Sequence, residues 1–230
     1  MFVHIVVKDR NKISAEFIYN IETIMKRIPH GELKIWDDEL FEEFIKYKNG
    51  LSYMCYKRLN KKIGPMVADY IRYNVLYYYG GVYIDVKSGL KYDWDKFMDI
   101  TVPDKLHVFE WDCSNFYEYI NWFIICDKEN PVMTKVIDRV NDNIIRYYTD
   151  TEIDFRKYKS VKQKVLHFTG PRMFTEVCSF HLISHNHNVV LHPNEDRKKN
   201  LQYIVVKDYK KKYKQQHYCT LPGESTPLCI

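Results

Sequence analysis

The chain has 230 residues, of which 46% are hydrophobic and 28% are charged, a composition typical of a globular protein. Its net charge of +5 and pI near 8.7 fall short of the strongly basic balance of a dedicated nucleic-acid-binding protein, so nucleic acid is not an expected partner. No run of residues approaches the ~18 consecutive apolar residues of a membrane span, so no integral membrane segment is predicted.

The first half of the chain alternates between strand-like apolar runs and stretches with apolar residues at helical spacing. Its predicted elements are a strand at 2–7, a helix at 13–28, a strand at 32–36, a helix at 37–48, a helix that begins at 64 and ends at glycines 80 and 81, and a strand at 82–86. Because such alternation favours parallel strands with helices on both faces, it predicts an α/β domain with a mostly parallel central sheet.

The second half of the chain is less regular. Its predicted elements are strands at 105–111 and 119–126, helices at 131–148 and 170–182, and strands at 188–192 and 202–206. Since no internal repeat, low-complexity segment or linker interrupts the sequence, we predict a single domain over residues 1–230. A C-terminal tail is predicted to begin at about residue 207, where the basic run "KDYKKKYK" indicates a solvated segment.

The cysteines and the N-terminus indicate where the protein works. The six cysteines contain no Cys-x-x-Cys pair, so we expect reduced thiols rather than a zinc or redox site. The first ten residues, "MFVHIVVKDR", are apolar only briefly and lack a basic lead-in, which predicts a strand and not a signal peptide. A cytoplasmic location is therefore expected.

The stretch "YYYGGVYIDVKSG", residues 77–89, gathers the residues that indicate chemistry. In the preceding helix, Asp69 and Arg72 are three residues apart and share one face. The two glycines allow a sharp turn, after which Tyr83 and Asp85 point to the same side of a strand. Asp85 lies near the carboxyl end of that strand, where α/β sheets bind their ligands. Lys87 follows two residues later.

The segment "ADYIRYNVLYYYGGVYIDVK" resembles the signature of sugar-nucleotide glycosyltransferases that carry a DXD motif. These include yeast-type initiating mannosyltransferases, capsular polysaccharide transferases and clostridial glucosylating toxins. The matching residues are Ala68, Asp69, Arg72, Leu76, Gly80, Gly81, Tyr83 and Asp85. Weaker similarity in "ELKIWDDE", "NWFIICDKENPVM" and "FTGPRMFTEV" extends the resemblance over most of residues 32–181. The resemblance implies a single-domain GT-A type fold.

The resemblance also implies roles for these residues. Asp69 and Arg72 would hold the hydroxyls of the donor sugar and the diphosphate side of the site, and Tyr83 would belong to the same nucleotide-sugar site. Asp85 would contact the ribose, the sugar or the metal. In the family, the second aspartate of the motif binds Mn²⁺ or Mg²⁺, but this chain has Lys87 at that position.

Lys87 leaves three interpretations open. It replaces the metal as the cation that stabilises the departing diphosphate, or Asp85 still binds a metal with help from elsewhere, or Lys87 points away from the site. His217 is the residue that would help bind a metal, because the family often has a histidine near its C-terminus that reaches the metal or the diphosphate.

Glu110 and Asp112, at the end of a predicted strand, are candidates for the base that deprotonates the acceptor hydroxyl if the reaction inverts configuration. Ordinary strand-end carboxylates are the alternative, and a retaining reaction needs no such base.

The sequence thus predicts a glycosyltransferase that moves a hexose from a UDP- or GDP-sugar to a hydroxyl of a glycan acceptor, as in polysaccharide biosynthesis. A catalytically degenerate protein of the same fold that binds a nucleotide or a glycan is the alternative. The abundance of Lys, Asn, Ile and Tyr is typical of an AT-rich genome, which suits a capsule locus or a large DNA virus acting in its host's cytoplasm.

Overall fold

A computed structural model describes residues 1–95, 102–113, 116–149, 158–184, 188–206, 209, 221 and 226–230. Its strands are β1 Phe2–Val6, β2 Glu32–Trp36, β3 Gly81–Ile84, β4 Gly89–Leu90, β5 Leu106–Cys113, β6 Phe116–Tyr119, β7 Phe123–Cys126, β8 Val189–His192 and β9 Leu201–Gln202. Its helices are α1 Ala15–Arg27, α2 Asp38–Lys48, α3 Gly50–Arg58, α4 Gly64–Tyr79, α5 Pro131–Thr149, α6 Val161–Phe168, α7 Pro171–Ile183 and α8 Asn194–Asn200. Within these ranges, no helix has both the length and the apolar character needed to cross a bilayer.

One sheet organises the fold, with strand order β2-β1-β3-β7-β5-β6 and with β8 also paired to β5. Strand β1 is parallel to β2 and β3, and β8 is parallel to β5. Strand β7 is antiparallel to both β3 and β5, and β6 is antiparallel to β5. Strands β2, β1, β3, β5 and β8 therefore share one direction, which confirms the predicted α/β architecture with a mostly parallel sheet.

Hydrophobic residues cover both faces of this sheet. Alternate residues of β1 and β3 point to opposite faces, so Val3 and Val82 pack with α1 in one layer, whereas Tyr83 packs in the other layer with helices α2 to α7. Each fully buried large apolar side chain stabilises the fold by roughly 1.5–3 kcal/mol. The prediction of helices on both faces is confirmed.

Helix α3 was not predicted from the sequence. A single residue, Asn49, separates it from α2 and serves as the C-cap of one helix and the N-cap of the other. The side chain of Asn49 accepts a hydrogen bond of 2.9 Å from the backbone N–H of Ser52, which satisfies an amide that the helix itself leaves unpaired. Two short helices, α6 and α8, were also missed.

The single strand predicted at 119–126 is wrong, because the structure has two strands, β6 and β7, in this region. Tyr119 pairs with Glu110, and Cys126 pairs with Leu106. The segment from Tyr119 to Cys126 therefore advances by seven residues, while its partner β5 advances by only four. The three extra residues, Ile120–Trp122, form a bulge between β6 and β7. The strand predicted at 202–206 is likewise reduced to β9, because only Leu201–Gln202 pairs with β4.

Candidate functional site

Helix α4 carries two charged residues of the motif on its buried side. Pro65 stands in its first turn, where the fixed φ of proline suits a helix start. Asp69 and Arg72 are each only 4% exposed, and Nη2 of Arg72 lies 3.1 Å from Oδ1 of Asp69. Their three-residue spacing thus produces an ion pair inside the protein.

The two glycines after α4 make a turn that no other residue would fit. Gly80 and Gly81 have φ values of 64° and 100°, in the region that favours glycine. A Cβ atom on Gly81 would lie 2.3 Å from the carbonyl oxygen of Phe2, and one on Gly80 would lie 2.6 Å from the backbone nitrogen of Lys128. The close approach lets β3 pair directly with β1.

A buried histidine fixes this turn. His4 Nε2 lies 2.9 Å from the carbonyl oxygen of Gly80, and Trp36 Nε1–H donates to His4 Nδ1 at 3.1 Å. Since an indole N–H can only donate, Nδ1 is the acceptor, and the imidazole proton is on Nε2. Burial lowers the pKa of His4 to about 4, so at neutral pH the ring is uncharged and donates to Gly80.

Asp85, which follows β3, joins the helix residues to Lys87. The Tyr83 hydroxyl donates to Asp85 Oδ1 at 2.7 Å, and Nη2 of Arg72 lies 3.4 Å from the same oxygen. The ammonium of Lys87 donates to Asp85 Oδ2. We refer to Asp69, Arg72, Asp85 and Lys87 as the charged cluster.

Neighbouring elements hold Asp69 in place. Thr169 Oγ1 donates to Asp69 Oδ2 at 2.9 Å, and Nδ2 of Asn121 donates to Asp69 Oδ1 at 2.9 Å. The backbone carbonyl of Asn121 in turn accepts from Arg72, and the Tyr73 hydroxyl donates to the carbonyl of Thr169 at 2.9 Å. The β6–β7 bulge and the start of α7 therefore orient the ion pair of α4.

The charged cluster is electrically balanced, with two carboxylates and two cations. Burial raises the pKa of Asp69 to about 6, against the opposing influence of Arg72. Burial also opposes ionisation of Asp85, but the positive charges of Lys87 and Arg72 outweigh it and lower the pKa of Asp85 below 3.8. Burial would lower the pKa of Lys87, but Asp85 outweighs it and raises that pKa above 10.5. All four groups are therefore charged at neutral pH.

A segment near the C-terminus crosses the loop that carries Lys87. The backbone N–H of Val205 donates to the Lys87 carbonyl at 2.9 Å, and the Ser88 hydroxyl donates to the Tyr203 carbonyl at 2.5 Å. The ring centres of Tyr203 and Tyr209 lie 5.1 and 5.9 Å from Lys87 Nζ. Residues distant in sequence thus hold Lys87 beside the other three members of the charged cluster.

A family model matches the part of the chain that carries this arrangement. Residues 14–102 match the family model described as a glycosyltransferase sugar-binding region containing a DXD motif. The match covers less than half of the chain, and it is to this segment that the similarity applies. The matched residues include α4, the glycine turn, β3 and the loop after it, and therefore all four members of the charged cluster. A comparison with curated proteins found no match.

Three solved glycosyltransferase structures are similar to this chain, and the first of them has the same fold. The PaToxG glycosyltransferase is 18% identical, with a TM-score of 0.58 over 80% of this chain and 70% of that chain. The UDP-bound glycosyltransferase domain of the YGT toxin is 14% identical, with a TM-score of 0.48 over 84% of this chain and 58% of that chain. A glycosyltransferase involved in glycosylation of the major capsid of PBCV-1 is 10% identical, with a TM-score of 0.41 over 96% of each chain.

The matched family implies a divalent metal at the DXD motif, but the residues that this chain presents there do not fit one. Asp85 Oδ1 accepts from Tyr83 and faces Arg72, while Oδ2 accepts from Lys87. Across the described ranges, His, Cys, Asp and Glu side chains nowhere gather in the threes that would hold an ion. His217 lies outside the described residues.

Glu110 and Asp112 lie in the second half of β5, and they contact residues outside the charged cluster. Glu110 pairs with Tyr119 of β6 and is half-buried. Asp112 is exposed, and its Oδ2 lies 3.1 Å from Nζ of Lys198. The structure thus brings Asp69, Arg72, Tyr83, Asp85 and Lys87 together and leaves these two carboxylates on a neighbouring strand.

Sequence reasoning missed residues that contact the cluster or its loop, among them Asn121, Thr169 and Tyr203. An asparagine inside the apolar run "YINWFIIC" was a usable signal, because a buried amide needs hydrogen-bonding partners. Thr169 lies in the "FTGPR" segment that resembles the family, but no role was inferred for it. Tyr203 gave no local signal, since its place beside Lys87 depends on a long-range contact.

Proposed function

We propose that this transferase moves a hexosyl group from a UDP- or GDP-sugar to a hydroxyl of a glycan acceptor. The observation that carries the proposal is the buried charged cluster at the end of β3. A polar cluster at the carboxyl end of a sheet strand is the usual ligand position of α/β proteins. Two buried cations beside two carboxylates suit a ligand with both a diphosphate and sugar hydroxyls.

Within this proposal, different residues bind different parts of the donor. Asp69 and Arg72 hold the sugar hydroxyls and the diphosphate side of the donor, and Tyr83 keeps Arg72 in place through ring contact at 4.5 Å. Asp85 accepts hydrogen bonds from the ribose or the sugar. Lys87 lies beside the diphosphate. Family resemblance and the contacts among these residues support the assignment.

The transfer exchanges one bond at the anomeric carbon for another. The bond from that carbon to the β-phosphate oxygen breaks, and its electron pair stays on the oxygen of the departing nucleoside diphosphate. The acceptor oxygen bonds to the same carbon and loses its proton. Lys87 and Arg72 stabilise the charge on the departing oxygen, and preorganised charge of this kind is often the largest contribution to catalysis.

The acceptor proton goes to Glu110 or Asp112 if the reaction inverts configuration. Both are carboxylates at the C-terminal half of β5, and such a base contributes typically about 10²–10⁴-fold to the rate. If the reaction retains configuration, no protein base is required, because the departing diphosphate oxygen can take the proton. Neither Mn²⁺ nor Mg²⁺ has a step in this proposal, because Lys87 already engages the carboxylate of Asp85.

Turnover of nucleotide sugars tests the proposal. Purified protein is incubated with a panel of UDP- and GDP-hexoses, and released UDP or GDP is quantified with and without oligosaccharide acceptors. We expect release from at least one donor, and we expect Asp85→Asn to reduce it by at least about 10²-fold. Glu176→Gln is the matched control, because Glu176 is an exposed carboxylate whose ion pair with Arg139 at 3.0 Å lies on the surface. No release from any donor, or unchanged release by Asp85→Asn, would contradict the proposal.

The contact between Lys87 and Asp85 also favours a second candidate, a degenerate transferase that binds a nucleotide or glycan without turnover. Such a protein would gain thermal stability from a ligand, because ligands that bind only the folded state raise the unfolding midpoint. A shift in the midpoint with no released diphosphate would identify it.

A further inference from the structure

We infer that Lys87 takes the place of the divalent cation in this transferase, so that the donor diphosphate is bound and its departure stabilised without Mg²⁺ or Mn²⁺. This inference rests on the proposed function. It concerns a cation supplied by the chain itself, at the position where the family carries a second aspartate.

The backbone aims Lys87 at Asp85. The N–H of Ser88 donates to the carbonyl of Asp85 at 2.8 Å, which closes a turn over residues 85–88. Val205 N–H holds the Lys87 carbonyl at 2.9 Å, and the Nδ2 of Asn20 donates to the carbonyls on either side of Lys87, those of Val86 and Ser88, at 2.8 and 2.9 Å. The loop is therefore fixed by its own turn and by two distant parts of the chain.

The side chain of Lys87 is built into the cluster. It is 17% exposed, and the Asp85 side chain that it contacts is 14% exposed. The rings of Tyr203 and Tyr209 stand 5.1 and 5.9 Å from Nζ, within the distance at which an aromatic face attracts a cation. An ammonium held by a carboxylate and by two rings is a fixed charge rather than a mobile surface lysine.

The charges of the cluster disfavour a divalent metal ion beside Lys87. The charged cluster has two negative and two positive groups, so it is neutral as it stands. A divalent ion on Asp85 would be next to Lys87 and Arg72, and like charges at such distances repel strongly inside a protein. A diphosphate brings negative charge instead, and the same two cations attract it. The cluster therefore favours binding of the diphosphate without a metal and disfavours binding of a divalent ion.

An ammonium can hold the aspartate and the diphosphate together. It has three N–H donors in a rotatable arrangement, and it binds phosphate as a point charge. One of these N–H groups donates to Asp85 Oδ2, and another can donate to the oxygen that leaves the anomeric carbon. The charge is present before the bond breaks, which is the condition for electrostatic catalysis.

Manganese binding and nucleotide binding test the inference in parallel. The free Mn²⁺ signal is followed by electron paramagnetic resonance during titration with wild type, Lys87→Asp and Lys91→Asp. Lys91→Asp is the matched control, because it makes the same charge change at an exposed lysine that donates to the carbonyl of Lys198. We expect wild type and Lys91→Asp to leave the Mn²⁺ signal unchanged, and Lys87→Asp to bind Mn²⁺ through Asp85 and the new carboxylate. Wild-type Mn²⁺ binding that Asp85→Asn abolishes would overturn the inference.

The second measurement is the affinity of wild type for UDP and GDP in EDTA and in Mn²⁺. We expect equal affinity for the preferred nucleotide under both conditions, and a loss of at least about tenfold, or 1.4 kcal/mol, in Lys87→Gln. A gain of tenfold or more on adding Mn²⁺ to wild type would overturn the inference. If Lys87→Asp unfolds, the wild-type titration and Lys87→Gln still decide it. Absence of nucleotide binding under every condition would refute the proposed function. The wild-type Mn²⁺ titration would still show whether the cluster with Lys87 binds a divalent metal.

Discussion

His4 makes the stability of the protein depend on pH, and replacing it by glutamine tests this. Buried beneath the glycine turn, the imidazole donates to Gly80 and accepts from Trp36. A second proton would have to enter on Nδ1, which already accepts from the indole. Protonation therefore removes one buried hydrogen bond and places an unpaired charge in the core.

The magnitude follows from the pKa of His4, which burial lowers from 6.5 to about 4. Between these values the unfolded chain binds more protons than the folded one, so stability falls as the pH falls below 6.5 and levels off below about 4. At about 1.36 kcal/mol per pKa unit, the shift corresponds to a total of about 3 kcal/mol. About 2 kcal/mol of this is lost between pH 7 and pH 5.

Urea unfolding at pH 7 and at pH 5 measures the effect. Glutamine keeps a donor and an acceptor at this position but does not titrate in this range, so His4→Gln is expected to lose about 2 kcal/mol less than wild type on acidification. The other titrating groups are common to both proteins and cancel in the comparison. The control is His30→Gln, which changes an exposed histidine and is expected to follow wild type. Equal losses in wild type and His4→Gln would refute the reasoning.

Two further substitutions test contacts around the cluster. Thr169→Val removes the hydroxyl that donates to buried Asp69 and is expected to destabilise by roughly 1.5–3 kcal/mol in urea unfolding. Thr149→Val, at an exposed helix end, should change stability by less than about 0.5 kcal/mol, and equal effects of the two would contradict the assigned contact. Gly81→Ala places a Cβ 2.3 Å from a backbone oxygen at a φ of 100° and should cost at least about 2 kcal/mol. Gly50→Ala, with nothing within 4 Å of its added Cβ, is the control, and thermal unfolding measures both variants. If Gly50→Ala lowers the unfolding midpoint as much as Gly81→Ala does, the close approach at Gly81 is not the cause of the loss in stability.

Much of the site was predictable because its parts are close in sequence. The spacing of Asp69 and Arg72 decides that they share a helical face, and the strand alternation decides that Tyr83 and Asp85 share a side. The glycine pair signals a turn between the two elements. Local geometry of this kind depends on the backbone periods of helix and strand, which the sequence reveals directly.

The supporting contacts were not predictable because they join distant segments. Asn121 and Thr169 lie 52 and 100 residues from Asp69, which both contact. The bulge that carries Asn121 exists because β6 and β7 follow different registers on β5, and the sequence shows only one apolar run there. A register difference depends on the partner strand, so it is a property of the assembled sheet.

The sequence by itself determined the α/β class of the chain, the α4–turn–β3 unit and the substitution of lysine for the second aspartate of the motif. Only the tertiary structure decided where that lysine points. The sequence left open whether Lys87 faces the site, whereas the turn over residues 85–88 and the segment that includes Tyr203 direct it onto Asp85. The physical reason is that a flexible four-carbon side chain takes its direction from the charges and rings around it, and in this chain those are assembled from residues more than a hundred positions apart.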